Sequence, residues 1–367
     1  MAHADTNRKL GKLGWTPFFA EAFAPFAAEG LVPGRIAIEF NYIYRVYTAS
    51  GEARAEAAGR LKHQAVGRHE LPAVGDWVAI RTVEGDRRRA TIVAILPRKS
   101  RFSRKVAGAL TEEQIVAANI DRVFLVTGLD RNFNLRRIER ALVLAWESGA
   151  TPTILLTKAD LFPDDVSDRI REVERLAPHV PVHALSPRRR EGLDAVRQYL
   201  REGQTVALLG SSGVGKSTLI NALLGENRLR TGEVRPRDQR GRHTTIHREL
   251  IVLPAGGLII DTPGMRELQL WDVDQAVVRD RFDDIDTLAV DCHFADCRHL
   301  DEPRCAVKQA AEDGRLSAER LENYHKLQRE AVVLEARTDE FARLDRKRRW
   351  KSATKALSAR VKDKGRD

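Results

Sequence analysis

The chain has 367 residues, enough for two or three domains, and 43% of them are hydrophobic, an ordinary proportion for packed globular domains. No stretch approaches the roughly 18 apolar residues that cross a bilayer, and the first fifteen residues lack the apolar centre of a signal peptide. We therefore expect no membrane partner. The 62 Lys and Arg against 52 Asp and Glu give a formal net charge of +10, which favours a polyanionic partner.

The N-terminal part of the chain contains one helical pattern followed by several strand patterns. Residues 15–29 predict a short amphipathic helix that ends at Gly30. Residues 34–96 form short apolar or alternating runs, which are separated by Gly51, Gly59, Gly75 and Gly85. Several short strands at this spacing predict a small antiparallel β-barrel of the OB type. The alternative is a barrel that serves only as a packing module.

The centre of the chain alternates strand and helix patterns, which predicts a doubly wound α/β domain with a parallel sheet. The predicted strands lie at 122–128, 152–160, 180–185, 204–210, 247–253 and 256–264. The predicted helices lie at 135–149, 167–177, 193–200 and 216–225. Beyond Trp271 the pattern is mainly helical, and residues 346–366 form a basic tail with ten Lys or Arg against one Asp.

The first motif with a chemical role closes the strand at 152–160. Thr157, Lys158, Ala159 and Asp160 resemble the [NT]-K-x-D motif with which GTPases read the base. The Asp160 carboxylate can accept hydrogen bonds from guanine N1–H and N2–H₂, which adenine cannot donate. The Lys158 stem can lie over the base plane. Because four such residues alone usually form an ordinary loop, the assignment depends on the motifs that follow.

A second base-binding segment is predicted at Ser186, which begins the sequence SPRRREGLD. GTPases of this class often show S-A-x-x-G here, and their backbone N–H groups meet guanine O6. Pro187 replaces the alanine and has no N–H to donate. If that amide normally contacts the base, the site must compensate for its loss.

The strongest motif in the chain follows the strand at 204–210. The sequence GSSGVGKS fits the phosphate-binding pattern G-x-x-x-x-G-K-[ST] and stands between a strand and a helix, as the pattern requires. Its backbone N–H groups would cradle phosphate oxygens, Lys216 would reach the β- and γ-phosphates, and the Ser217 hydroxyl would hold Mg²⁺. A chance glycine-rich turn is disfavoured by both flanks. The predicted nucleotide-binding residues are Gly210, Ser211, Ser212, Gly213, Val214, Gly215, Lys216, Ser217 and Thr218.

A polar segment at 230–250 has the length of a GTPase switch. Thr245 is predicted to bind Mg²⁺ and to sense the γ-phosphate, with Thr244 as the alternative. His243 is the titratable candidate for a catalytic role. A contact of His243 with backbone or RNA explains its presence nearly as well.

The turn Asp261-Thr-Pro-Gly264 ends the next strand and fits the D-x-x-G pattern, in which the carboxylate holds Mg²⁺ through water and the glycine N–H approaches the γ-phosphate. Met265 stands where many GTPases keep a water-positioning Gln, so another group, a potassium ion or a partner must help. The base-reading motifs precede the phosphate-binding ones, the reverse of ordinary GTPases. A doubly wound sheet tolerates such a permutation because surface loops can be cut and chain ends rejoined. The predicted catalytic set is His243, Lys216, Thr245, Asp261 and Gly264.

All three cysteines lie within 14 residues, at Cys292, Cys297 and Cys305, with His299 between them. An odd number of cysteines in one short segment argues against disulfides and for a metal site in a reducing compartment, which indicates the cytoplasm. Three thiolates and one imidazole suit one structural, tetrahedral Zn²⁺ per chain. His293 remains as a spare residue at the surface.

Together these motifs resemble one family, the small-ribosomal-subunit-dependent GTPase A family (RsgA, YjeQ or EngC). The resemblance begins near residue 34 and is carried by PAVGDWVAI, EQIVAANIDRVFLV, FNLRRIERAL, GSSGVGKSTLINAL, GRHTTIHREL, DTPGMREL and CHFADCRHLDEPRCAV. It implies an OB-fold domain, a circularly permuted GTPase domain and a zinc-binding C-terminal domain. It also implies GTP hydrolysis stimulated by the small ribosomal subunit, a role in late 30S maturation, and 16S rRNA as a partner.

This sequence departs from the family pattern at several positions. Thr157 stands where Asn is usual, Pro187 where Ala is usual, Ile246 where a third Thr is common, and Gln269 and Arg304 where Gly is common. The first two bear on base affinity, and Arg304 bears on the turn of the zinc loop. The helical N-terminal segment lies outside the matched region, so the resemblance gives it no role.

The expected domains are an N-terminal helical extension (1–31), an OB-fold RNA-binding domain (32–98), a permuted GTPase domain (99–271), a mainly helical zinc-binding domain (272–345) and a basic tail (346–367). We expect a monomer that binds GTP and GDP. Two other classes remain open. One is a nucleic-acid-binding regulatory module that uses GTP and GDP as a switch with negligible turnover. The other is a P-loop ATPase, which Asp160 disfavours.

Overall fold

The computed structural model describes residues 2–40, 42–83, 85–106, 112–229, 248–261, 282–294, 296–318, 320–322, 324–325 and 328–329. The chain forms two compact units. The first contains Met1–Lys105 and Glu112–Gln269, and the second contains Val106–Thr111 and Leu270–Asp367. Among the helices in these ranges, none is both long and apolar enough to cross a bilayer.

Five strands near the N-terminus close into a barrel. They are β1 (Val32–Phe40), β2 (Ile43–Thr48), β3 (Gly51–Ala57), β4 (Trp77–Val83) and β5 (Asp86–Ile95), with α3 (Gly59–Gln64) and a 3₁₀ turn (Arg68–Glu70) between β3 and β4. The order is β1-β2-β3-β5-β4, and β4 returns to pair with β1. The predicted barrel is therefore confirmed. One detail was wrong: β3 and β5 pair in parallel, whereas we expected only antiparallel pairs.

The barrel interior is small because alternate positions of β3 carry alanine. Ala53, Ala55 and Ala57 face inward and are buried, while the residues between them are exposed. They pack with larger side chains from the other four strands, among them Ile36 and Ile92. Alternation with a period of two is what places one face of each strand in the core. The same alternation in the sequence predicted the strands within residues 34–96.

The α/β part contains the predicted doubly wound sheet. Its strands are β8 (Arg122–Gly128), β9 (Thr151–Thr157), β10 (Val182–Leu185), β11 (Thr205–Leu209), β12 (Glu249–Val252) and β13 (Leu258–Asp261). The order is β10-β9-β8-β11-β13-β12, in which the first five strands are parallel and β12 is antiparallel to β13. A separate two-stranded sheet of β6 (Arg101–Val106) and β7 (Glu112–Ala118) precedes it in the chain and was not predicted.

Helices cover both faces of this sheet. They are α4 (Leu135–Glu147), α5 (Val166–Leu176), α6 (Leu193–Arg197) and α7 (Lys216–Leu224), with a 3₁₀ turn (Ala159–Leu161) after β9. Val123 and Leu125 of β8 belong to one apolar cluster with α4 and α5, whereas Phe124 and Val126 belong to another with α6 and α7. Because successive side chains of a strand point to opposite faces, a parallel strand between two helical layers must be apolar throughout.

The barrel and the α/β sheet are joined by backbone hydrogen bonds. Strand β1 pairs with β12, with Ile38 opposite Glu249, so that eleven strands form one continuous sheet. The hydroxyl of Tyr47 on β2 also donates to the carbonyl oxygen of Leu250 at 3.3 Å. No local pattern in the sequence predicts this junction, because the paired strands are some 200 residues apart along the chain.

The N-terminal segment packs against this first unit. It forms α1 (Ala2–Lys12), which we did not predict, and α2 (Pro17–Ala28), which confirms the helix expected at 15–29. The Trp15 ring meets the Trp77 ring edge-on at 4.6 Å between centroids. Phe19 and Phe23 of α2 are buried in the same apolar cluster as the β8 face described above. The segment therefore covers apolar surface that the barrel and the sheet share.

Arg35 ties the three parts of this unit together. Its guanidinium is fully buried and donates to the carbonyl oxygens of Leu13 after α1, Gly75 before β4 and Asn119 after β7. The group also lies over the Trp77 ring, 5.7 Å from its centroid. Burial lowers the pKa of Arg35 to about 10, against the opposing fields of Asp121 and Asp76, so the group stays charged at neutral pH. The hydrogen-bond partners of the charged Arg35 guanidinium are therefore backbone carbonyl oxygens.

Replacing Arg35 with Met keeps much of the side-chain volume but removes every one of these donors. We expect the free energy of unfolding to fall by about 3 kcal/mol, because buried carbonyl groups lose hydrogen bonds to a charged partner. Urea titration of the full chain measures this change. Arg45→Met on β2 is the control: its side chain is 48% exposed, so the change should stay within about 0.5 kcal/mol. Equal effects of the two substitutions would contradict the role of Arg35.

The second unit has a small core of its own. Helices α8 (Asp283–Ala289) and α9 (Ala306–Glu312) contribute the buried side chains Ile285, Val307 and Ala310. Phe282 meets the Tyr324 ring at 5.2 Å, and both are buried. The described part of this unit agrees with the predicted helical character. The basic tail at 346–367 lies outside the described residues.

Candidate functional site

The phosphate loop joins the buried strand β11 to helix α7. All three of its glycines have backbone angles that other residues rarely adopt, with φ at 155° for Gly210, 75° for Gly213 and 99° for Gly215. A Cβ at Gly210 would lie 2.2 Å from the carbonyl oxygen of Val126 on β8, so only glycine fits. The loop ends at the start of α7, where Ser217 and Thr218 lie in the first turn and backbone N–H groups have no partner within the helix.

Two cationic side chains contact the phosphate loop. Lys216 folds back over it, and its Nζ donates to the carbonyl oxygens of Gly210 at 2.6 Å and Ser211 at 2.8 Å. Nη1 of Arg137, from helix α4, lies 3.4 Å from the Ser211 hydroxyl. Positive charge therefore gathers at the loop that the sequence assigns to phosphates. Arg137 was not among the predicted residues.

Asp261 ends β13, which lies next to β11 in the sheet. Burial raises the pKa of its carboxyl group, and the field of Glu249 acts in the same direction, while the field of Lys216 lowers it. Because β11 and β13 are neighbouring parallel strands, Asp261 and the phosphate loop lie at the same edge of the sheet. The joint role of Asp261 and Lys216 stays a prediction.

Thr157 connects the base-reading motif to the phosphate loop. Its side chain is fully buried, and its hydroxyl lies 2.5 Å from the carbonyl oxygen of Val214 and 3.1 Å from that of Thr127. One hydroxyl proton must serve two acceptors, whereas the amide of an Asn would carry two protons. Thr157 therefore connects the base-reading motif to the phosphate loop, with one hydrogen-bond donor fewer than an Asn would have.

Lys158 has a left-handed backbone, with φ at 63°, and its Nζ lies 2.5 Å from the Asp130 carboxylate. Burial opposes ionisation of Asp130, but hydrogen bonds from Lys158 and Asn132 outweigh it and hold the pKa of this carboxyl below its usual value. Asp130 was missed at the sequence level. Its position after β8, at the same edge of a parallel sheet as Asp160, was the available signal.

Asp160 and Ser186 come together at the end of β9 and β10. The residue Ser186 is buried and exchanges backbone hydrogen bonds with Glu191 at 3.1 and 3.0 Å, which closes a short turn around a buried Pro187. Within that turn, Nε of Arg189 lies 3.7 Å from Oδ2 of Asp160. The second predicted base-binding segment is thus in contact with the first.

Several predicted residues lie outside the described part of the chain. They are His243, Thr244, Thr245, Gly264 and Met265. The described residues that flank them, Arg228 and Glu249, form an ion pair at 2.6 Å. The sequence predictions for the γ-phosphate side of the site therefore remain predictions.

The second unit gathers the four predicted metal ligands. The ligand atoms of Cys292, Cys297, His299 and Cys305 all lie within 4.8 Å of one another. The Cys292 and Cys305 sulfurs are 3.8 Å apart, and Nδ1 of His299 lies 3.6 and 3.4 Å from them. Tetrahedral zinc, with Zn–S near 2.3 Å and Zn–N near 2.0 Å, would separate two sulfurs by about 3.8 Å and a sulfur from a nitrogen by about 3.5 Å. The donor set and its spacing fit zinc.

Two residues of this cluster adopt left-handed backbone angles. The angle φ is 57° at Arg304 and 60° at His299. For a residue with a Cβ this conformation costs roughly 1–2 kcal/mol. Arg304 is the position at which the sequence departs from a common glycine, so the same turn is made here at a higher conformational cost. The ligands still come together, which means that the departure leaves the cluster intact.

Comparison with known proteins agrees with this geometry. A family model described as RsgA GTPase matches residues 95–271. A second model, described as ABC transporter, matches residues 193–358, a range that includes the phosphate loop, which many nucleotide-binding classes share. Two solved structures are similar along most of the chain. YjeQ from Thermotoga maritima has a TM-score of 0.61 and 27% identity, covering 82% of this chain and 99% of its own. YloQ, described as a circularly permuted GTPase, has a TM-score of 0.58 and 25% identity, covering 82% and 95%.

The fold and the site therefore define a circularly permuted P-loop GTPase with an N-terminal five-stranded barrel. Sequence relatives narrow this class. A protein of Opitutus terrae, named small ribosomal subunit biogenesis GTPase RsgA, is 47% identical over 97% of this chain and 99% of its own length. A Streptomyces coelicolor protein of the same name is 44% identical over 93% and 92%. The chain belongs to the RsgA GTPase family.

The Thr157 hydroxyl gives a test of how the two nucleotide-binding loops are connected. Thr157→Val keeps the shape of the side chain and removes the donor to Val214 and Thr127. We expect guanine nucleotides to bind about five-fold more weakly, which corresponds to the loss of about one hydrogen bond. The dissociation constant of a fluorescent GDP analogue measures this.

The matched control is Thr153→Val on the same strand. Thr153 is also fully buried, but its hydroxyl accepts from Nη1 of Arg122 at 2.7 Å, away from both loops. This variant should lose stability without a change in nucleotide affinity. Equal weakening by the two variants would show that the Thr157 effect is general destabilisation.

Proposed function

We propose that this protein binds the small ribosomal subunit and hydrolyses GTP to GDP and phosphate during late maturation of that subunit in the cytoplasm. Support comes first from its relatives, whose names specify small ribosomal subunit biogenesis at 40–47% identity. The observation that best supports the proposed reaction is the common location of Asp160, Lys216 and Asp261. They follow or end β9, β11 and β13, at the same edge of one parallel sheet. A single nucleotide that spans this edge would touch all three.

The phosphate half of the site would work by positioning and charge. The N–H groups of residues 210–218 and the Lys216 ammonium would bind the β- and γ-phosphates. The Ser217 hydroxyl would hold Mg²⁺ directly and the Asp261 carboxylate would hold it through water. Bound Mg²⁺ neutralises charge that develops on the phosphates. Thr245, Gly264 and His243 are the proposed contacts on the γ-phosphate side.

The base half of the site would select guanine. Asp160 would accept from N1–H and N2–H₂, Lys158 would lie along the base, and Ala159 and Ser186 would line its edge. Because Lys158 is fixed to Asp130, its stem is already ordered before it meets a base. Rejection of adenine follows from the missing donors, since adenine would leave the Asp160 carboxylate unpaired.

The barrel supplies a surface for rRNA. Its exposed arginines include Arg45, Arg54, Arg60, Arg81, Arg88 and Arg89. Such a surface suits the phosphates of 16S rRNA, and the basic tail at 346–367 would add to it. We accordingly assign RNA binding to residues 32–98, GTP hydrolysis to 99–271 and a zinc-stabilised helical domain to 272–345, in a monomeric protein.

The proposed reaction is tested by measuring GTP turnover of the full chain with and without purified small subunits. We expect the subunits to increase turnover, and we expect Lys216→Ala to abolish it in both conditions. Turnover that is negligible even with subunits would instead favour a regulatory module that only switches between GTP and GDP, a reading that Met265 permits.

Asp160→Asn tests base recognition. The amide can donate to the 2-oxo group of xanthine, where the carboxylate would repel it, so preference should shift from GTP to XTP. Competition between GDP and XDP for the binding site measures the shift. Unchanged GDP affinity in this variant would remove Asp160 from base recognition.

We further propose one structural Zn²⁺ per chain, held by Cys292, Cys297, His299 and Cys305. Elemental analysis of the purified protein should give one zinc per chain, and His299→Ala should reduce it, because a tetrahedral site loses one of four ligands. His293→Ala is the matched control, since His293 is not among the four clustered ligands and its ring meets the Phe294 ring edge-on at 4.8 Å. Absence of zinc from the unaltered protein, or equal loss in both variants, would count against this site.

A further inference from the structure

The carboxylate assigned to base recognition already has a partner inside the chain. Nε of Arg189 lies 3.7 Å from Oδ2 of Asp160, and no other ion pair of Asp160 occurs among the described residues. The Asp160 side chain is only 9% exposed, whereas that of Arg189 is 60% exposed. A largely exposed arginine therefore lies beside a mostly buried carboxylate to which a base is proposed to bind.

The turn that carries Arg189 is well defined. Ser186 and Glu191 exchange two backbone hydrogen bonds across it, and the N–H of Arg189 donates to the Ser186 hydroxyl at 3.3 Å. Pro187 is buried at its base, while Arg188, Arg189 and Arg190 are exposed. Of these three arginines, only Arg189 reaches Asp160. The backbone of the turn therefore places Arg189, and neither of the two neighbouring arginines, beside Asp160.

We infer that Arg189 competes with guanine for Asp160 and thereby weakens the binding of guanine nucleotides. This inference rests on the proposed base-reading role of Asp160. Guanine N1–H and N2–H₂ need both oxygens of the carboxylate, and the guanidinium occupies the vicinity of one of them. Guanine can form both hydrogen bonds with Asp160 only when Arg189 moves away. Binding of the base therefore breaks an existing ion pair, and this loss reduces the net free energy gained on binding.

The size of the effect follows from the geometry of the pair. A separation of 3.7 Å with a largely exposed arginine belongs to the class of solvent-screened ion pairs. Loss of such a competitor should tighten binding by about two- to five-fold. The change should appear as slower release of the nucleotide, because related complexes differ mostly in their dissociation rates.

The test compares Arg189→Ala with Arg188→Ala in the full chain. Both remove one positive charge from the same exposed turn, so general attraction to the phosphates falls equally. Titration and stopped-flow release of a fluorescent GDP analogue should show two- to five-fold tighter binding for Arg189→Ala. Arg188→Ala should bind as the unaltered protein does or slightly more weakly. Binding by Arg189→Ala that equals or is weaker than that of Arg188→Ala would overturn the competition.

A second measurement separates this inference from the proposed function. In an Asp160→Asn background the neutral amide no longer attracts Arg189, so adding Arg189→Ala should leave XDP affinity unchanged. If Asp160→Asn keeps the preference for GDP, the base-reading role fails and the inference fails with it. If Asp160→Asn shifts the preference to XDP while Arg189→Ala still tightens XDP binding, the competition is wrong and base recognition stands.

Discussion

The backbone ladder through Glu249 is the constraint on which the first unit depends. Glu249 lies opposite Ile38 of the barrel on one side and opposite Asp261 on the other. Neighbouring strands are about 4.8 Å apart, so a barrel strand lies only about 10 Å from the carboxylate assigned to magnesium. Because three strands share these hydrogen bonds, the barrel cannot turn against the nucleotide domain without breaking a ladder. Arg35 and the N-terminal helices strengthen this connection from the opposite end of β1.

The parallel sheet explains why the order of the motifs along the chain has little effect on the site. Strands β8, β9, β10, β11 and β13 run in the same direction, and the residues that follow each one therefore meet at one edge. The base-reading loops follow β9 and β10, and the phosphate loop follows β11. Cutting and rejoining the chain changes which loop comes first but not the edge at which it lies. The permuted order seen in the sequence is thus compatible with an undisturbed site.

The sequence predicted what depends on local pattern and failed where distant segments meet. The strand at 122–128 was predicted at its correct bounds because an apolar run before a loop is a strong local signal. The antiparallel pairing of β1 with β12 and the parallel pairing of β3 with β5 have no such signal. Arg35 was missed for a related reason. A charged residue at the start of RIAIEF is expected on the solvent side, and here two N-terminal helices cover that side.

The motifs of the candidate site could be named from the sequence because they are short and chemically specific, and their roles stay predictions. The sequence analysis missed three side chains that contact the predicted site residues, Asp130, Arg137 and Arg189. Asp130 follows β8, Arg137 lies in α4 and Arg189 lies in the turn after β10, and only the folded sheet brings them beside the residues of the motifs. The turn around Pro187 is closed by Ser186 and Glu191 without an N–H from the proline.

Three charged groups of the candidate site share one property: each already has a partner within the described part of the chain. Lys216 bonds to carbonyl oxygens of its own loop, Lys158 to Asp130, and Asp160 to Arg189. A nucleotide therefore exchanges partners at these groups instead of meeting bare charges. Such pairing keeps partly buried charges stable, and it also means that affinity is the difference between old and new contacts. The net free energy of nucleotide binding at such a site is therefore smaller than the number of charged contacts suggests.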